Sequence, residues 1–376
     1  MTRQNGSIIG EQIKGANQPG MWTPSDAQQR ALTGEWGGGL GTIRYLLVGG
    51  GGGGGGARPS EINAGGGGGG GVVTGTETLY EGRKYDIQVA GPGSPGSTYT
   101  PGGRGGSSEF ETTTSDAPPQ YPGTSFKHVA YGGGGGCSYH GNPSNPNFRH
   151  GASGGGASSN GQTTAGGGLN PTIGGASNTM PSPIVPQDFP EYTPGTTQGY
   201  NGGATASPPT DRGGGGGGGA GSPGGNASGQ SGGPGGDGFA SDITGSTVYY
   251  GGGGGGGGPT AGGGGGPGGG GNGAGPVPTS DGVNGDNATY YGGGGGGAAT
   301  RPGNPSGGRS GGKGFPGIVI LRYPNAFELD LSDSPQAPTN VDSNYNVKIV
   351  DQGSVGSDTY VAFGGSVNDI KFKRKY

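Results

Sequence analysis

The sequence has little of what usually holds a globular domain together. Only 25% of its 376 residues are hydrophobic, which is too small a share for an ordinary core in a chain of this length. Charged residues make up 12% and the net charge is −4, so the high charge typical of disordered chains is also missing. The nearly neutral balance gives no electrostatic basis for binding nucleic acid or an anionic membrane, and neither partner is expected.

Cysteine and long apolar runs are scarce as well. Cys137 is the single cysteine, so an internal disulfide bond is excluded. No run approaches the roughly 20 apolar residues of a membrane-spanning helix, and the first residues, MTRQNGSIIG, lack the apolar centre of a signal peptide. We therefore expect no membrane insertion and no secretion route encoded in these residues.

Glycine is what the sequence has in excess. It contains 109 glycines and 31 prolines, far above the average glycine usage of about 7%. A Gly-X-Y period is missing, which excludes collagen. The longest runs contain none of the serine that flexible linkers mix with glycine, and they are Gly49–Gly56, Gly65–Gly71, Gly132–Gly136, Gly213–Gly219, Gly251–Gly258, Gly262–Gly266 and Gly292–Gly297.

The common length of these runs indicates a slab of fixed thickness. Glycine can form the extended polyglycine-II helix, with three residues per turn and a rise of about 3.1 Å, so eight residues span roughly 25 Å. Its N–H and C=O groups point away from the helix axis and can form hydrogen bonds with neighbouring helices. Only glycine allows these helices to approach so closely, because it has no Cβ. A single such helix loses more backbone entropy than its hydrogen bonds return, so a bundle is required.

Strand-like runs alternate with the glycine runs and predict an all-β fold. Val72–Val89 contains two alternating segments around Glu81-Gly82 and predicts a hairpin. Pro316–Tyr323 is the most apolar run and predicts a buried strand. Three further strands are expected at Thr42–Val48, Ser125–Tyr131 and Ser246–Tyr250.

Composition divides the chain into three parts. Residues 1–40 include a short predicted helix that begins with Thr23 as N-cap and Pro24 at the first helical position, and ends before Gly34. Residues 41–323 are the predicted glycine-rich domain of β-strands and polyglycine-II helices. Residues 324–376 have ordinary glycine content and alternating patterns, which predict a small C-terminal β-module.

The aromatic residues fall into two groups. Loops rich in Tyr, Asn, Ser and Gly suit molecular recognition, although rings in such loops could instead cover the slab. The candidate receptor-binding residues are Tyr139, His140, Phe148, Phe189, Tyr192 and Tyr200. Tyrosines that adjoin glycine runs are predicted to be structural, since they supply the packing that glycine lacks, and they are Tyr45, Tyr131, Tyr249, Tyr250, Tyr290 and Tyr291.

The sequence contains short matches to catalytic and metal-binding motifs, but its high glycine content is enough to produce them by chance. Gly151–Gly155 and Gly229–Gly233 fit G-x-S-x-G, but neither has the strand and helix that a nucleophile elbow needs. Gly232–Ala240 fits a calcium-binding nonapeptide that works only in tandem. His128, Cys137, His140 and His150 lack zinc-ligand spacing, although in a trimer one histidine per chain could meet at the axis. We expect no enzyme activity, metal or cofactor.

The order of motifs resembles the glycine-rich domain of bacteriophage tail-fibre and adhesin proteins. The resemblance covers about Gly20 to Pro324 and rests on TIRYLLVGGGGGGGG, GVVTGTETLYEGRKYDIQVAGPG, SSEF followed by VAYGGGGGC, and the closing KGFPGIVILRYP. It implies a virion protein, most often a homotrimer, whose N-terminal segment attaches to other virion proteins. Its loops are then expected to bind a bacterial surface receptor, a glycan or outer-membrane protein. The alternative is a purely architectural fibre, collar, baseplate or head component.

Overall fold

The computed structural model describes most of the glycine-rich part of the chain and the strands around it. The described residues are 8–9, 21–22, 41–59, 63–80, 83–112, 125–138, 149–159, 197–205, 213–278, 281–301, 308–333 and 349–375. In these residues the regular elements are strands and extended glycine helices, without an α-helix, so the all-β class with polyglycine-II helices is confirmed. The predicted N-terminal helix lies outside the described residues.

The described residues contain fourteen strands, which form two five-stranded sheets and two short pairs. The strands are β1 (Ile8–Ile9), β2 (Met21–Trp22), β3 (Gly41–Val48), β4 (Val72–Leu79), β5 (Tyr85–Gln88), β6 (Ser108–Thr112), β7 (Phe126–Ala130), β8 (Phe239–Ser241), β9 (Val248–Tyr250), β10 (Ile318–Pro324), β11 (Phe327–Asp330), β12 (Ile349–Val355), β13 (Asp358–Phe363) and β14 (Val367–Arg374). The first sheet has the order β12-β13-β10-β3-β4, and the second β11-β14-β5-β6-β7. All pairings are antiparallel, and β1–β2 and β8–β9 are the short pairs.

The two large sheets enclose an aromatic core. Tyr85, Phe110, Phe363 and Phe372 are fully buried there. The Tyr85 ring centroid lies 5.7 Å from that of Phe110 and 5.8 Å from that of Phe372, within the range of favourable aromatic pairs. Side-chain burial therefore stabilises this part of the molecule as in an ordinary β-sandwich.

One lateral edge of the sandwich is closed by a polar contact. His128 of β7 and Glu77 of β4 lie in different sheets, and His128 Nε2 is 2.7 Å from Glu77 Oε1. The His128 ring also stacks on Tyr45, with centroids 4.6 Å apart. This contact joins the edge strands of the two sheets.

Several strands continue directly into glycine helices, which hydrogen-bond with a period of three residues. Gly51 N–H donates to the Phe315 carbonyl, Gly52 to Gly68 and Gly53 to Gly103, at 2.8–2.9 Å. Gly54 then donates to the same segment as Gly51 does. None of the residues 50–56 has a positive φ. Both features are those of the left-handed three-residue helix.

Five inner helices each bond to six neighbouring segments. They comprise residues 49–57, 64–72, 213–219, 251–258 and 292–299. Residues 49–57, for example, donate to segments 65–71, 100–106 and 309–315 and accept from 93–96, 133–136 and 295–298. Backbone groups buried in the slab are thereby paired with other backbone groups, as burial requires.

Close approach explains why the inner helices are glycine. A Cβ added to Gly54 would lie 1.9 Å from the Gly296 oxygen, and one added to Gly254 would lie 2.1 Å from the Gly295 oxygen. The Cα–H bond of each glycine therefore points at a carbonyl oxygen of another helix, as in a Cα–H···O contact. A side chain at these positions would force backbones apart.

Outer helices carry their side chains on the solvent side once per turn. Pro234 and Asp237 are exposed at a spacing of three, and so are Ala261 and Gly264. A Cβ added to Gly264 would meet no atom within 4 Å. Every third position of an outer helix therefore accepts a side chain, and proline, alanine and polar residues occur there.

Two sequence-based expectations are refined by the sheet topology. The predicted Val72–Val89 hairpin is wrong, because β4 pairs with β3 while β5 pairs with β6 and β14 in the other sheet. Residues after 324 form strands as expected, and β13 and β14 pair with β10 and β5 of the glycine-rich part. The boundary at 323/324 therefore lies within sheets that both parts build.

Candidate functional site: the far end of the glycine slab

The described glycine helices run between the sandwich and the opposite end of the slab, where several of them end. Residues 49–57 run away from the sheets and residues 64–72 return, and this alternation repeats through the slab. The described residues at this far end include 57–59, 97–102, 227–231, 258–261, 274–278 and 299–301. Loops gathered at one end of a rigid scaffold are a common arrangement for binding.

Short polar side chains close the lattice beneath the far end. Thr300 N–H donates to Asn63 Oδ1 at 2.8 Å, and Asn63 N–H donates to Ser159 Oγ at 3.0 Å. Ser138 Oγ donates to the Gly56 carbonyl at 2.7 Å. All of these residues are buried. Their side chains pair backbone groups where the glycine helices end, which holds the loops to the slab.

Tyr99 and Arg58 form an exposed aromatic and cationic pair at the far end. Tyr99 is 42% exposed and has a φ of 70°, an uncommon conformation for a residue with a side chain. The Arg58 guanidinium carbon lies 5.7 Å from the centre of the Tyr99 ring. The turn is fixed by Thr100 N–H, which donates to the Ser97 carbonyl at 2.9 Å.

Nearby, Arg309 and Asp281 form an ion pair between two of these connections. Arg309 Nε also donates to the Gly282 carbonyl at 2.8 Å. The described far end is thus polar, and its described aromatic contact surface is provided by Tyr99.

A known family accounts for most of this architecture. The model of the glycine-rich domain matches residues 27–324. The chain belongs to the glycine-rich domain family. No match was found among curated proteins or among solved structures. The glycine-rich domain therefore includes the slab and strands β3 to β10, whereas β11 to β14 lie beyond the match and complete its sheets.

The predicted receptor-binding residues are placed only in part. Tyr139, His140, Phe148, Phe189 and Tyr192 lie outside the described residues of the glycine-rich domain. Tyr200 is half-buried within the slab, where its N–H donates to Gly219 and its carbonyl accepts from Gly154. The role of these residues in recognition stays a prediction.

The predicted structural tyrosines lie at the near end, where strands meet glycine helices. Tyr45, Tyr131 and Tyr250 are buried, and burial raises the pKa of Tyr45 to about 12. Tyr249 and Tyr290 are 45% and 38% exposed. The adjoining Gly251 and Gly292 have φ values of 74° and 75°, and these glycines turn the chain into its helix. Tyr291 is half-buried.

Sequence reasoning missed Tyr99 and Arg58. The signal was available in GSPGSTYTPGG, because a single ring stands in a four-residue turn between two glycine segments. Arg58 could not be paired with it from the sequence, because residues 49–57 and 91–97 must first be known as neighbours.

Reactive and membrane-spanning features are not found in the described part of the glycine-rich domain. Burial raises the pKa of the Cys137 thiol to about 12, which keeps it protonated. Ser153 of the GASGG motif lies in a bend and is buried, with its carbonyl accepting from Gly134 N–H. Among the described residues, no cluster of three His, Cys, Asp or Glu could hold a metal, and no helix is suited to cross a membrane.

Proposed function

We propose that the chain is a bacteriophage virion structural protein, most specifically a tail-fibre protein or adhesin that binds the bacterial surface. The observation that carries this proposal is the far end itself, where many connections emerge from one face of a rigid slab. The resemblance in motif order adds the viral context. The proposal assigns no catalytic step, metal or cofactor to the chain.

The rigidity of the slab supports this proposal. Inner helices bonded to six neighbours cannot bend singly, so the points at which the chain leaves the far end of the slab keep their relative positions. Loops held in this way lose less conformational entropy on binding. Several weak loop contacts on one particle can then combine into strong attachment. A homotrimer would multiply the loops threefold, and residues 1–40 would attach the chain to other virion proteins.

A purely architectural role is the second candidate. The observation that favours it is that described polar groups at the far end bond to one another, as in the ion pair of Arg309 and Asp281. Such a surface can serve as a joint between virion components. In this role the chain does not bind a bacterial receptor, whether a glycan or an outer-membrane protein.

Immunogold microscopy of intact particles separates these candidates. We would use an antibody raised against residues Pro171–Arg212. Label at the distal tips of tail fibres is the result expected for an adhesin. Label at the collar, baseplate or capsid would establish the architectural role instead. Absence of label, with the same antibody shown to bind the native protein, would contradict a virion location.

Cell binding by the purified chain then tests the loop residues. Replacing Phe189 and Tyr192 with serine should lower the number of cells bound at least tenfold if these rings contact the receptor. Tyr249→Ser is the matched control, since Tyr249 is exposed at the near end of the slab. Equal losses in both variants would contradict recognition through the loops.

A further inference from the structure

A cleft unrelated to the far end lies between the first sheet, the β8–β9 pair and the slab. Its volume is about 370 Å³. Tyr250, Tyr290, Tyr291 and Tyr360 line it together with Asp351, over a floor of apolar residues that includes Ile320. Four aromatic side chains thus meet in a single cleft, although only 7% of the residues in the chain are aromatic.

The rings are inclined to one another and do not form a flat platform. Tyr250 and Tyr290 have centroids 5.8 Å apart with their planes at 38°, and Tyr290 and Tyr291 are 5.1 Å apart with planes at 68°. Tyr250 is buried, whereas Tyr290 remains 38% exposed at the cleft mouth. Because these rings contact one another at an angle, they offer no flat platform for stacking, and the cleft beside them suits a compact group better than a flat one.

The electrostatic character of the cleft is negative. Among the described lining residues, Asp351 is the one with a charged side chain, and it accepts a hydrogen bond from the Tyr360 hydroxyl at 3.1 Å. Among the described residues, no lysine, arginine or histidine forms an ion pair with Asp351. The faces of tyrosine rings add further negative potential.

The titration of the tyrosines agrees with this geometry. Burial, followed by the negative charge of Asp351, raises the pKa of Tyr290. Burial and the neighbouring Tyr290 raise the pKa of Tyr250, with a smaller contribution from Asp351. A second negative charge is therefore opposed in the cleft, whereas a positive charge is favoured.

We propose that this cleft binds an organic ammonium ion, with the cationic head group against the tyrosine rings and Asp351 as its counter-ion. Aromatic rings combined with a carboxylate are a known solution for quaternary ammonium groups. The volume is ample for a trimethylammonium head with a short substituent. The inference goes beyond the proposed function and does not depend on it, since the cleft lies at the near end.

Choline and its neutral isostere 3,3-dimethylbutan-1-ol provide the test. The two have the same shape and differ in charge, so calorimetric titration of the full chain with each isolates the electrostatic part. We expect choline to bind about tenfold more tightly than the alcohol, within the range of cation–π and ion-pair energies. Equal affinities, or no detectable binding of choline, would overturn the proposal.

Two variants with a matched control complete the test. Asp351→Asn should weaken choline binding about tenfold and leave the alcohol unchanged, and Tyr290→Leu should weaken choline binding further. Asp237→Asn, on an exposed position of an outer helix, should change neither. Thermal unfolding of each variant verifies the fold. If Asp351→Asn leaves choline affinity unchanged in a folded protein, the carboxylate is not the counter-ion and the proposal fails.

Discussion

The slab and the sandwich of this molecule are held together by different groups. In the sandwich, buried rings such as Phe110 and Phe372 both pack against Tyr85, and the backbone only forms ladders. In the slab, backbone groups bond in several directions, and the glycines that make up most of each inner helix have no side chains to bury. A chain with only 25% hydrophobic residues can therefore still be ordered where its backbone provides the packing.

The same contrast exists within the slab. An inner residue such as Gly254 faces a carbonyl oxygen where a Cβ would stand, whereas Gly264 on an outer helix faces open space. The number of neighbouring helices therefore decides which glycines are required. Substitutions in the slab and the sandwich test this contrast, from the largest expected effect to the smallest.

Gly254→Ala should give the largest loss. Its Cβ would lie 2.1 Å from the Gly295 oxygen, so two backbones must separate and several hydrogen bonds must lengthen. We expect the free energy of unfolding to fall by about 4 kcal/mol, the upper range for one substitution. Gly264→Ala is the matched control and should change it by less than about 1 kcal/mol. Similar losses for both would contradict the inner–outer distinction.

Phe110→Ala should act on the sandwich instead. Removal of this fully buried ring should cost about 3–4 kcal/mol, as for other large-to-small core substitutions. Denaturant unfolding measures the loss, with Phe110→Leu as a milder control. Amide exchange by mass spectrometry should show faster exchange in β5 and β6 while Gly252–Gly258 stays protected. Loss of protection in the slab as well would show that the two regions unfold as one unit.

Asn287→Ala should have a moderate effect at the slab surface. Asn287 Oδ1 accepts the Lys313 N–H at 2.8 Å, and this side chain pairs a backbone group on an outer helix. We expect a loss of about 1 kcal/mol in thermal unfolding, as for one hydrogen bond. Lys313→Ala keeps the same N–H and should be close to neutral. An equal loss in Lys313→Ala would argue against the side-chain cap.

Asp330 should give the smallest effect, and one that disappears at low pH. Its hydrogen bond from Lys373, whose Nζ lies 2.6 Å from Oδ2, lowers the pKa of Asp330 to about 2. The charged form is therefore favoured in the folded state. Its contribution is present above the usual pKa of 3.8 and is lost as pH falls towards 2.

Because the Lys373 side chain is exposed, solvent screens this pair and keeps the contribution of Asp330 small. The difference in melting temperature between the parent chain and Asp330→Asn should therefore be small at pH 6 and vanish near pH 2. A difference that grows on acidification would contradict a lowered pKa of Asp330 in the folded state.

Much of this fold was accessible from the sequence because strands and glycine runs have different patterns. β3 and β10 were predicted from apolar runs within one or two residues of their bounds. The pairing of β4 and β5 was not, because both alternate and nothing between them shows that they join different sheets. Partner choice depends on contacts with distant strands such as β14.

The position of a glycine run within the slab was predictable only in part. Long uninterrupted runs such as Gly251–Gly258 are inner helices, and segments with a side chain at every third residue are outer ones. Gly262–Gly266 breaks this rule, because it is uninterrupted and yet exposes Gly264. The tyrosine cleft was equally hidden, since Tyr290 and Asp351 lie 61 positions apart in the sequence.

Amide hydrogen exchange of Gly251–Gly258 tests most directly whether the glycine runs are an ordered slab. Each N–H in this inner helix donates to a carbonyl of another segment, at 2.8–3.1 Å. We predict that these amides exchange as slowly as those of β10 in the centre of the first sheet. Exchange at the rate of an unstructured glycine chain would show that the runs are flexible spacers, and would contradict the slab.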